Sequence, residues 1–416
     1  MKKIGVCLLL AAAPLLASAA DSDADALKLA DDTPNTVARA SDWQIYVEAA
    51  AGQTRQRNGS LLFNQRLSLD IQFDKTFAPG WRAVFADRLD LNRQNNPEHE
   101  YGINSLKEAY LSWEMRPEQL FDLGRINARN GVALGYNPTD YFRSGSGRSI
   151  VSADPASQKK NRLGSGMLRS QTLWNGGSLT ALYSPKMADQ PDSATWNADW
   201  GSTNNQNRWL LSLSQKLSEN ITPQWLLYRE DNRSPQLGFN LTGLLNEATV
   251  AYVEWSDGRS PSLLAQALNR SDDEAFRNKL STGLTYTTDN KLSLTAEYQY
   301  NGAGLNRDNW DALGRNALPI YAQYRRYVQT AQDMPTRQAL FFYAAWQDVL
   351  IAKLDLSAMV RHNLDDRSRL SWLEARYRWE RTEAAVQLQW NSGGALSEFG
   401  ASSQQRIAQL LLRHYF

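Results

Sequence analysis

The chain has 416 residues, and its 45 lysines and arginines nearly balance its 44 aspartates and glutamates, which gives a formal net charge of +1. This balance provides no bulk charge for binding nucleic acid, so we expect no nucleic-acid partner. The mean hydropathy is -0.53, and no apolar run reaches the roughly 18 residues that a membrane-spanning helix needs. The composition therefore excludes a helical transporter.

The first residues have the pattern of a secretory signal peptide. Lys2 and Lys3 precede the apolar run 4–16, which is followed by the small residues Ala17-Ser18-Ala19. A positive start, an apolar run and a small-residue cleavage site are together typical of such a segment. We therefore predict a signal peptide over 1–19.

The rest of the chain is predicted to form a tail and one domain. The acidic stretch 20–41 lacks a sustained apolar stripe and is predicted to be a flexible tail, with a short helix as the alternative. The only cysteine, Cys7, lies in the predicted signal peptide, so we expect neither a disulfide nor a thiolate metal site downstream. No linker rich in Pro, Gly or Ser divides the remainder, which predicts a single domain over 42–416.

From residue 42 onward the hydrophobic pattern has a period of two. In 63–73, apolar side chains occupy nearly every odd position, as a strand with one apolar and one wet face requires. Similar strands of about ten residues, the length that crosses a bilayer at a steep tilt, recur along the chain. We predict eighteen strands, or sixteen if one hairpin is miscounted. They lie near 42–54, 61–75, 80–92, 103–115, 119–127, 166–174, 177–185, 206–217, 222–231, 236–245, 248–257, 277–288, 290–302, 337–347, 350–363, 367–379, 382–391 and 405–416.

Short and long connections alternate between these strands. Every second connection is a tight turn, whereas long loops lie at 127–165, 185–205, 258–276 and 303–336. This alternation, with both termini on the short side, is typical of outer-membrane barrels. The sequence predicts an all-β, transmembrane antiparallel β-barrel of the cell outer membrane, with short periplasmic turns and long extracellular loops. Its expected surroundings are outer-membrane lipid and lipopolysaccharide.

Aromatic residues support the membrane interpretation. Tryptophans cluster at the predicted strand ends, where indole rings meet lipid headgroups. The chain ends in Phe416 after an alternating strand. A terminal Phe of this kind resembles the signal carried by bacterial outer-membrane barrel proteins, which implies recognition by the outer-membrane assembly machinery.

A barrel of eighteen strands has a lumen too wide for side chains to fill, so a water-filled channel is the expected function. No cofactor or metal is expected. The predicted inward face carries charges of both signs. Each charged residue could act in transport, or it could simply pair with a cross-strand neighbour in the wall. The predicted pore-lining residues are Arg66, Asp70, Arg82, Arg88, Arg376 and Arg378.

The segment 125–169 is strongly basic, since it has eight cations and only two acids, Asp140 and Asp154. Inside a narrow aperture these cations would favour anions, and the planar fork of arginine suits carboxylates and phosphates. The alternative is that they face outward and bind lipopolysaccharide phosphates or solubilise the loop. The predicted substrate-binding residues are Arg125, Arg129, Arg143 and Arg148, together with Lys159, Lys160, Arg162 and Arg169.

Two runs in this segment carry a family resemblance. The residues 124–131 and 135–143 resemble the glycine-arginine strand end and the Asn-Pro-(Thr/Val)-Asp turn of large porin-like families, among them the alginate-export type. The resemblance implies a loop folded back into the lumen to narrow it. The resulting expectation is an outer-membrane channel for hydrophilic and mainly anionic solutes, or an exporter of an anionic polysaccharide.

Other interpretations stay open on sequence alone. A surface-attachment barrel would bind polysaccharide through its external loops. An enzyme would have to use His99 or His362, and neither has a glycine-framed serine nearby, so we predict no catalytic residues. The stretch 309–330 is consistent with an amphipathic helix that acts as a lid or with a loop packed on its neighbours.

Overall fold

The computed structural model describes residues 41–95 and 99–416. The predicted signal peptide over 1–19 and all but the last residue of the predicted tail over 20–41 lie outside the described residues.

Eighteen antiparallel strands form one closed sheet, in which each strand pairs with its neighbours in sequence and the last pairs with the first. The predicted barrel of eighteen strands is confirmed. A further two-residue strand, Ala275–Phe276, pairs with Arg259 and Ser260. The barrel strands are β1 Trp43–Gln56, β2 Leu61–Ala78, β3 Trp81–Gln94, β4 His99–Arg116, β5 Gln119–Ile126, β6 Ser165–Trp174, β7 Gly177–Ser184, β8 Arg208–Gln215, β9 Gln224–Glu230, β10 Gln236–Asn246, β11 Thr249–Ser260, β12 Lys279–Thr287, β13 Leu292–Asn301, β14 Gln338–Trp346, β15 Leu354–Asn363, β16 Arg369–Arg378, β17 Thr382–Ser392 and β18 Gln404–Tyr415.

The alternation of side chains gives the barrel a polar inside and an apolar outside. On β2, Leu67 and Leu69 are 50% and 37% exposed on the outer face, while Ser68 and Asp70 are buried inside. A sheet whose leucines face outward and whose carboxylates face inward is stable only if its outside contacts an apolar medium. This is the arrangement that the period-two pattern predicts.

The two rims of the barrel differ. The turn end is the rim where β1 begins, β18 ends and most connections are short, and the loop end is the rim with the long loops. One connection at the turn end is longer than predicted, because Asp348, Leu350 and Lys353 all have positive φ and interrupt strand pairing. The strand predicted over 350–363 therefore begins at Leu354.

A bulge on β4 changes which of its residues face the lumen. Ala86 of β3 is opposite Glu108, but Asp87 is opposite Leu106, so Lys107 has no residue opposite it. The extra residue breaks the alternation. Lys107 points into the barrel as a result and is 2% exposed.

Short helices lie in the long connections. Three of them pack around Trp310 and Tyr324, which are 1% and 0% exposed, and form a helical cap at the loop end. The stretch 309–330 therefore forms helices that also pack on their neighbours. No helix in 41–95 or 99–416 is both long and apolar enough to cross a membrane. The helices are α1 Pro155–Lys160, α2 Trp200–Thr203, α3 Leu263–Ala267, α4 Arg307–Asn316 and α5 Leu318–Ala331.

Candidate functional site

The connection between β5 and β6, residues 127–164, folds into the lumen, and we call it the inner loop. Glu254 of β11 and Glu297 of β13 hold it against the inner wall. Backbone N–H groups of Val132 and Ala133 donate to Glu254 at 2.9 and 3.0 Å, and the N–H of Leu134 donates to Glu297 at 2.5 Å. The inward fold implied by the family resemblance is thus present in this structure.

Glu254 accepts hydrogen bonds from several groups of the inner loop. The N–H and the hydroxyl of Thr139 donate to its other oxygen at 2.8 and 2.9 Å, and the side-chain amide of Asn137 donates at 3.0 Å. Gly131 has a φ of 103°, and a Cβ there would lie 2.6 Å from the Glu254 carboxylate. A buried carboxylate is tolerated only when it is fully hydrogen-bonded. The Glu254 carboxylate of the wall therefore needs the inner loop in this position, and the loop N–H groups need the carboxylate.

Apolar contacts fix the inner loop on both sides of these carboxylates. Ala128 and Phe142 pack on an apolar part of the wall that includes Leu210 of β8. Leu134, which lies between them in the chain, packs against Phe341 of β14, in a cluster that includes Trp372 of β16. The loop therefore packs on the wall at points between β6 and β16, and open space remains in the lumen mainly beside β14–β18 and β1–β3.

Two cavities occupy this open part. A cavity of about 410 Å³ lies toward the loop end and one of about 360 Å³ toward the turn end. Both are lined by Val151 and Ser152 of the inner loop and by Trp372 and Gln387 of the wall. These four residues therefore lie at the boundary between the cavities.

The lining of the loop-end cavity is mostly uncharged and polar. Its charged lining residues are Arg66 and Arg93, and carboxamides dominate the rest. Carboxamides both donate and accept hydrogen bonds, so they can replace water around a hydroxyl-rich solute. The lining carboxamides are Asn64, Gln65, Asn92, Gln94, Gln158, Gln387, Gln389, Gln404 and Gln409.

The lining of the turn-end cavity is ionic, and its wall charges are paired. Glu48 of β1 contacts three guanidinium groups, those of Arg66 at 2.8 Å, Arg88 at 3.0 Å and Arg413 at 2.7 Å. Lys107 pairs with Asp70 at 2.6 Å. Such mutual pairing leaves little net field in the lumen.

A second paired group lies on β15–β17. Arg376 contacts Glu374 at 2.8 Å and Glu383 at 2.7 Å, and Arg378 contacts Asp355 at 2.5 Å. The wall arginines that line this cavity therefore all have carboxylate partners.

The inner loop contributes three cations to the same cavity, Arg129, Lys159 and Lys160. The ammonium of Lys159 donates to the carbonyl of Ala133 at 3.0 Å. Among the described residues, none of the three cations has a carboxylate oxygen within 4.0 Å. Burial within the barrel, with the nearby Lys107 ammonium, lowers the pKa of Lys160 to about 8.

Four of the predicted substrate-binding cations instead pair with acids, and three of these four pairs fix the inner loop, whereas Arg169 pairs across two strands of the wall. Arg162 pairs with Asp140 at 2.6 Å inside the inner loop. The other three pairs reach neighbouring elements: Arg143 with Asp333 at 3.2 Å, Arg148 with Asp199 at 2.9 Å and Arg169 with Asp122 at 2.6 Å.

Arg125 is also withdrawn from the lumen. It is 1% exposed, and its guanidinium lies 3.9 Å from the ring centroid of Trp200. One of its N–H groups donates to the carbonyl of Leu106 at 3.3 Å. Of the eight predicted binding residues, the structure leaves Arg129, Lys159 and Lys160 facing the channel.

The six predicted pore-lining residues all occupy inward positions but differ in access. Arg66, Arg376 and Arg378 line the cavities. Asp70 and Arg88 are 0% and 1% exposed and lie within the ion pairs of the wall. The remaining residue, Arg82, pairs with Asp74 at 2.6 Å near the turn end.

The helical cap is connected to the inner loop through Asp333, which follows α5. Besides Arg143, Asp333 contacts the ammonium of Lys279 at 2.6 Å and accepts from the Tyr136 hydroxyl at 2.8 Å. Although burial opposes ionisation, Lys279 and Arg143 hold the pKa of Asp333 well below its ordinary value.

The contact between Asp333 and Tyr136 could not be predicted from the sequence, since the two residues are almost 200 positions apart.

No protein-family model matches the chain, and no curated protein matches it. Solved structures do. OccK5 (OpdH) of Pseudomonas aeruginosa has a TM-score of 0.53 at 11% identity, over 90% of this chain and 98% of that one. OccAB3 of Acinetobacter baumannii has a TM-score of 0.52 at 9% identity, over 90% and 98%.

A third match is the outer membrane protein opdK of Pseudomonas aeruginosa, with a TM-score of 0.53 at 8% identity over 90% of this chain and 99% of that one. At such identities the likeness shows the fold, which is that of outer-membrane barrels. It does not support the predicted resemblance to the alginate-export type.

Proposed function

We propose that the protein is an outer-membrane channel for small hydrophilic solutes and that it favours anions. The outward leucines and tryptophans fit a lipid bilayer, and the turn end then faces the periplasm, as in other barrels of this kind. The two cavities beside the inner loop form the path across the lumen.

The observation that carries the anion preference is the placement of the inner-loop cations. The wall arginines beside the turn-end cavity pair with Glu48, Asp355, Glu374 and Glu383. Among the described residues, Arg129, Lys159 and Lys160 form no ion pair within 4.0 Å. A cation in a narrow lumen with low-dielectric walls is screened less than one at an open surface. With Asp154 of the inner loop included, six cations and five carboxylates line the cavity, so its net charge is +1. This excess favours the entry of anions over cations.

The size of the path favours small solutes over a polymer. Cavities of about 410 and 360 Å³ are in the range of small-molecule sites. The loop-end cavity would hold the hydroxyl groups of a solute through carboxamides, and the turn-end cavity would hold its anionic group.

Planar-bilayer recording tests the channel itself. Purified, refolded protein is expected to give discrete current steps in symmetrical KCl, and liposomes that contain it are expected to swell in solutions of small sugars. Folded and inserted protein that gives neither current nor swelling would contradict the proposal and favour the surface-attachment alternative.

A further inference from the structure

One sector of the outer face carries arginines at the loop end. Arg55 of β1, Arg369 of β16 and Arg406 of β18 are exposed and occupy outward positions of their strands. The outward positions of β16, β17, β18, β1 and β2 hold no acidic residue. The wall arginines that line the turn-end cavity pair with carboxylates, and within the described part of the chain the arginines of this outer sector do not.

Arg55 and Arg406 stand directly opposite each other. They are cross-strand partners in the β1–β18 pair, and the adjacent Thr54 and Ile407 are partners on the inward face. Side chains in such positions have Cβ atoms about 4.5 to 5.5 Å apart, and like charges there destabilise the sheet. Among the described residues, neither arginine has a carboxylate oxygen within 4.0 Å.

Trp390 places these arginines at a defined depth. It faces outward on β17, is 37% exposed and lies opposite Arg406. Arg369 lies opposite Ser392, two positions further toward the loop end than Trp390. An outward indole prefers the boundary between acyl chains and headgroups, so the guanidinium groups lie at headgroup level.

We propose that Arg55, Arg369, Arg406 and Trp390, the outer arginine patch, bind the phosphate groups of lipid A in the lipopolysaccharide leaflet. A phosphate between Arg55 and Arg406 accepts hydrogen bonds from both and replaces their repulsion with attraction. Trp390 would pack beside the acyl chains and sugar rings. The inference rests on the proposed orientation in the outer membrane, but not on conduction or ion selectivity.

Titration of the detergent-solubilised, lipid-free protein with purified lipid A tests this site. Lipid A is expected to raise the thermal unfolding temperature of the wild type. In R55Q/R406Q the affinity should fall at least about tenfold, since two charge-assisted contacts are lost. The same variant should unfold at a higher temperature than the wild type when no lipid is present, because the like-charge repulsion is gone.

R116Q is the matched control, because Arg116 is an exposed arginine at the opposite rim. It should bind lipid A like the wild type. Dephosphorylated lipid A should bind the wild type weakly, and inorganic phosphate alone should not raise its unfolding temperature. Equal binding by R55Q/R406Q and wild type would overturn the proposal, as would equal binding of dephosphorylated lipid A or full stabilisation by inorganic phosphate. Current steps in planar bilayers report on the channel separately.

Discussion

The two cavities of the lumen share strands β1 and β16–β18 but differ in chemistry. Toward the loop end, the inward side chains are mostly carboxamides, and toward the turn end they are arginines, lysines and carboxylates. The wall charges near the turn end neutralise one another, as Glu48 does with three arginines. The cations of the turn-end lining that lack an ion pair among the described residues are those of the inner loop, which contributes Arg129, Lys159 and Lys160 together with one acid, Asp154.

The largest expected effect comes from releasing the inner loop. In E254Q/E297Q the loop N–H groups lose carboxylate acceptors, each worth about 1.5 to 3 kcal/mol when a charged group is involved. Single-channel recording should show a several-fold larger and noisier conductance together with weaker anion preference. Conductance equal to that of the wild type would mean that the loop does not depend on these carboxylates.

Removing the inner-loop cations should abolish selectivity with less change in conductance. In R129Q/K159Q/K160Q, the permeability ratio of chloride to potassium should fall toward about 1, because the wall ion pairs leave little field. R116Q, which removes an arginine from the turn-end rim, serves as the control and should keep the wild-type ratio. A preserved ratio in the triple variant would place the selectivity in the wall instead.

Lys160 should give the selectivity a pH dependence. Its pKa is lowered to about 8, so it is mostly charged near pH 7 and mostly neutral at about pH 9.5. Anion preference should therefore decline as pH rises through this interval. The decline should be absent in K160Q, and K160R should keep the preference at both pH values. A wild-type reversal potential that is constant over this interval would show that Lys160 does not influence permeation.

The smallest effect is expected in the loop-end cavity. Replacing a carboxamide, as in Q389L, should slow the uptake of neutral sugars in liposome swelling, because one donor and acceptor pair is lost from the cavity. Ion selectivity should not change, since no charge is altered. Swelling rates equal to those of the wild type would show that the Gln389 carboxamide does not contribute to the uptake of neutral sugars.

The barrel was predictable because its signal is local. The alternation in 63–73 and similar segments fixes which side chains face outward, and it yields all eighteen strands. The bulge at Lys107 was not predictable, since one extra residue leaves no mark in the composition of β4. The late start of β15 depends on positive φ values at Asp348 and Leu350. Neither residue is a glycine, the residue type that most readily adopts a positive φ, so the sequence did not predict this turn.

The site was predictable only in part, because it depends on contacts between distant segments. Charge density indicated the basic segment but could not separate Arg143, which pairs with Asp333, from Arg129, which faces the channel. Alternation likewise places Glu254 and Glu297 on the inward face, yet only the fold brings the N–H groups of the inner loop to them.

The reversal potential of the wild-type protein in a KCl gradient across a planar bilayer is the most direct test. If the inner-loop cations set the field of the lumen, the potential will have the sign of chloride permeation. A potential of the opposite sign, with potassium favoured, would contradict the account.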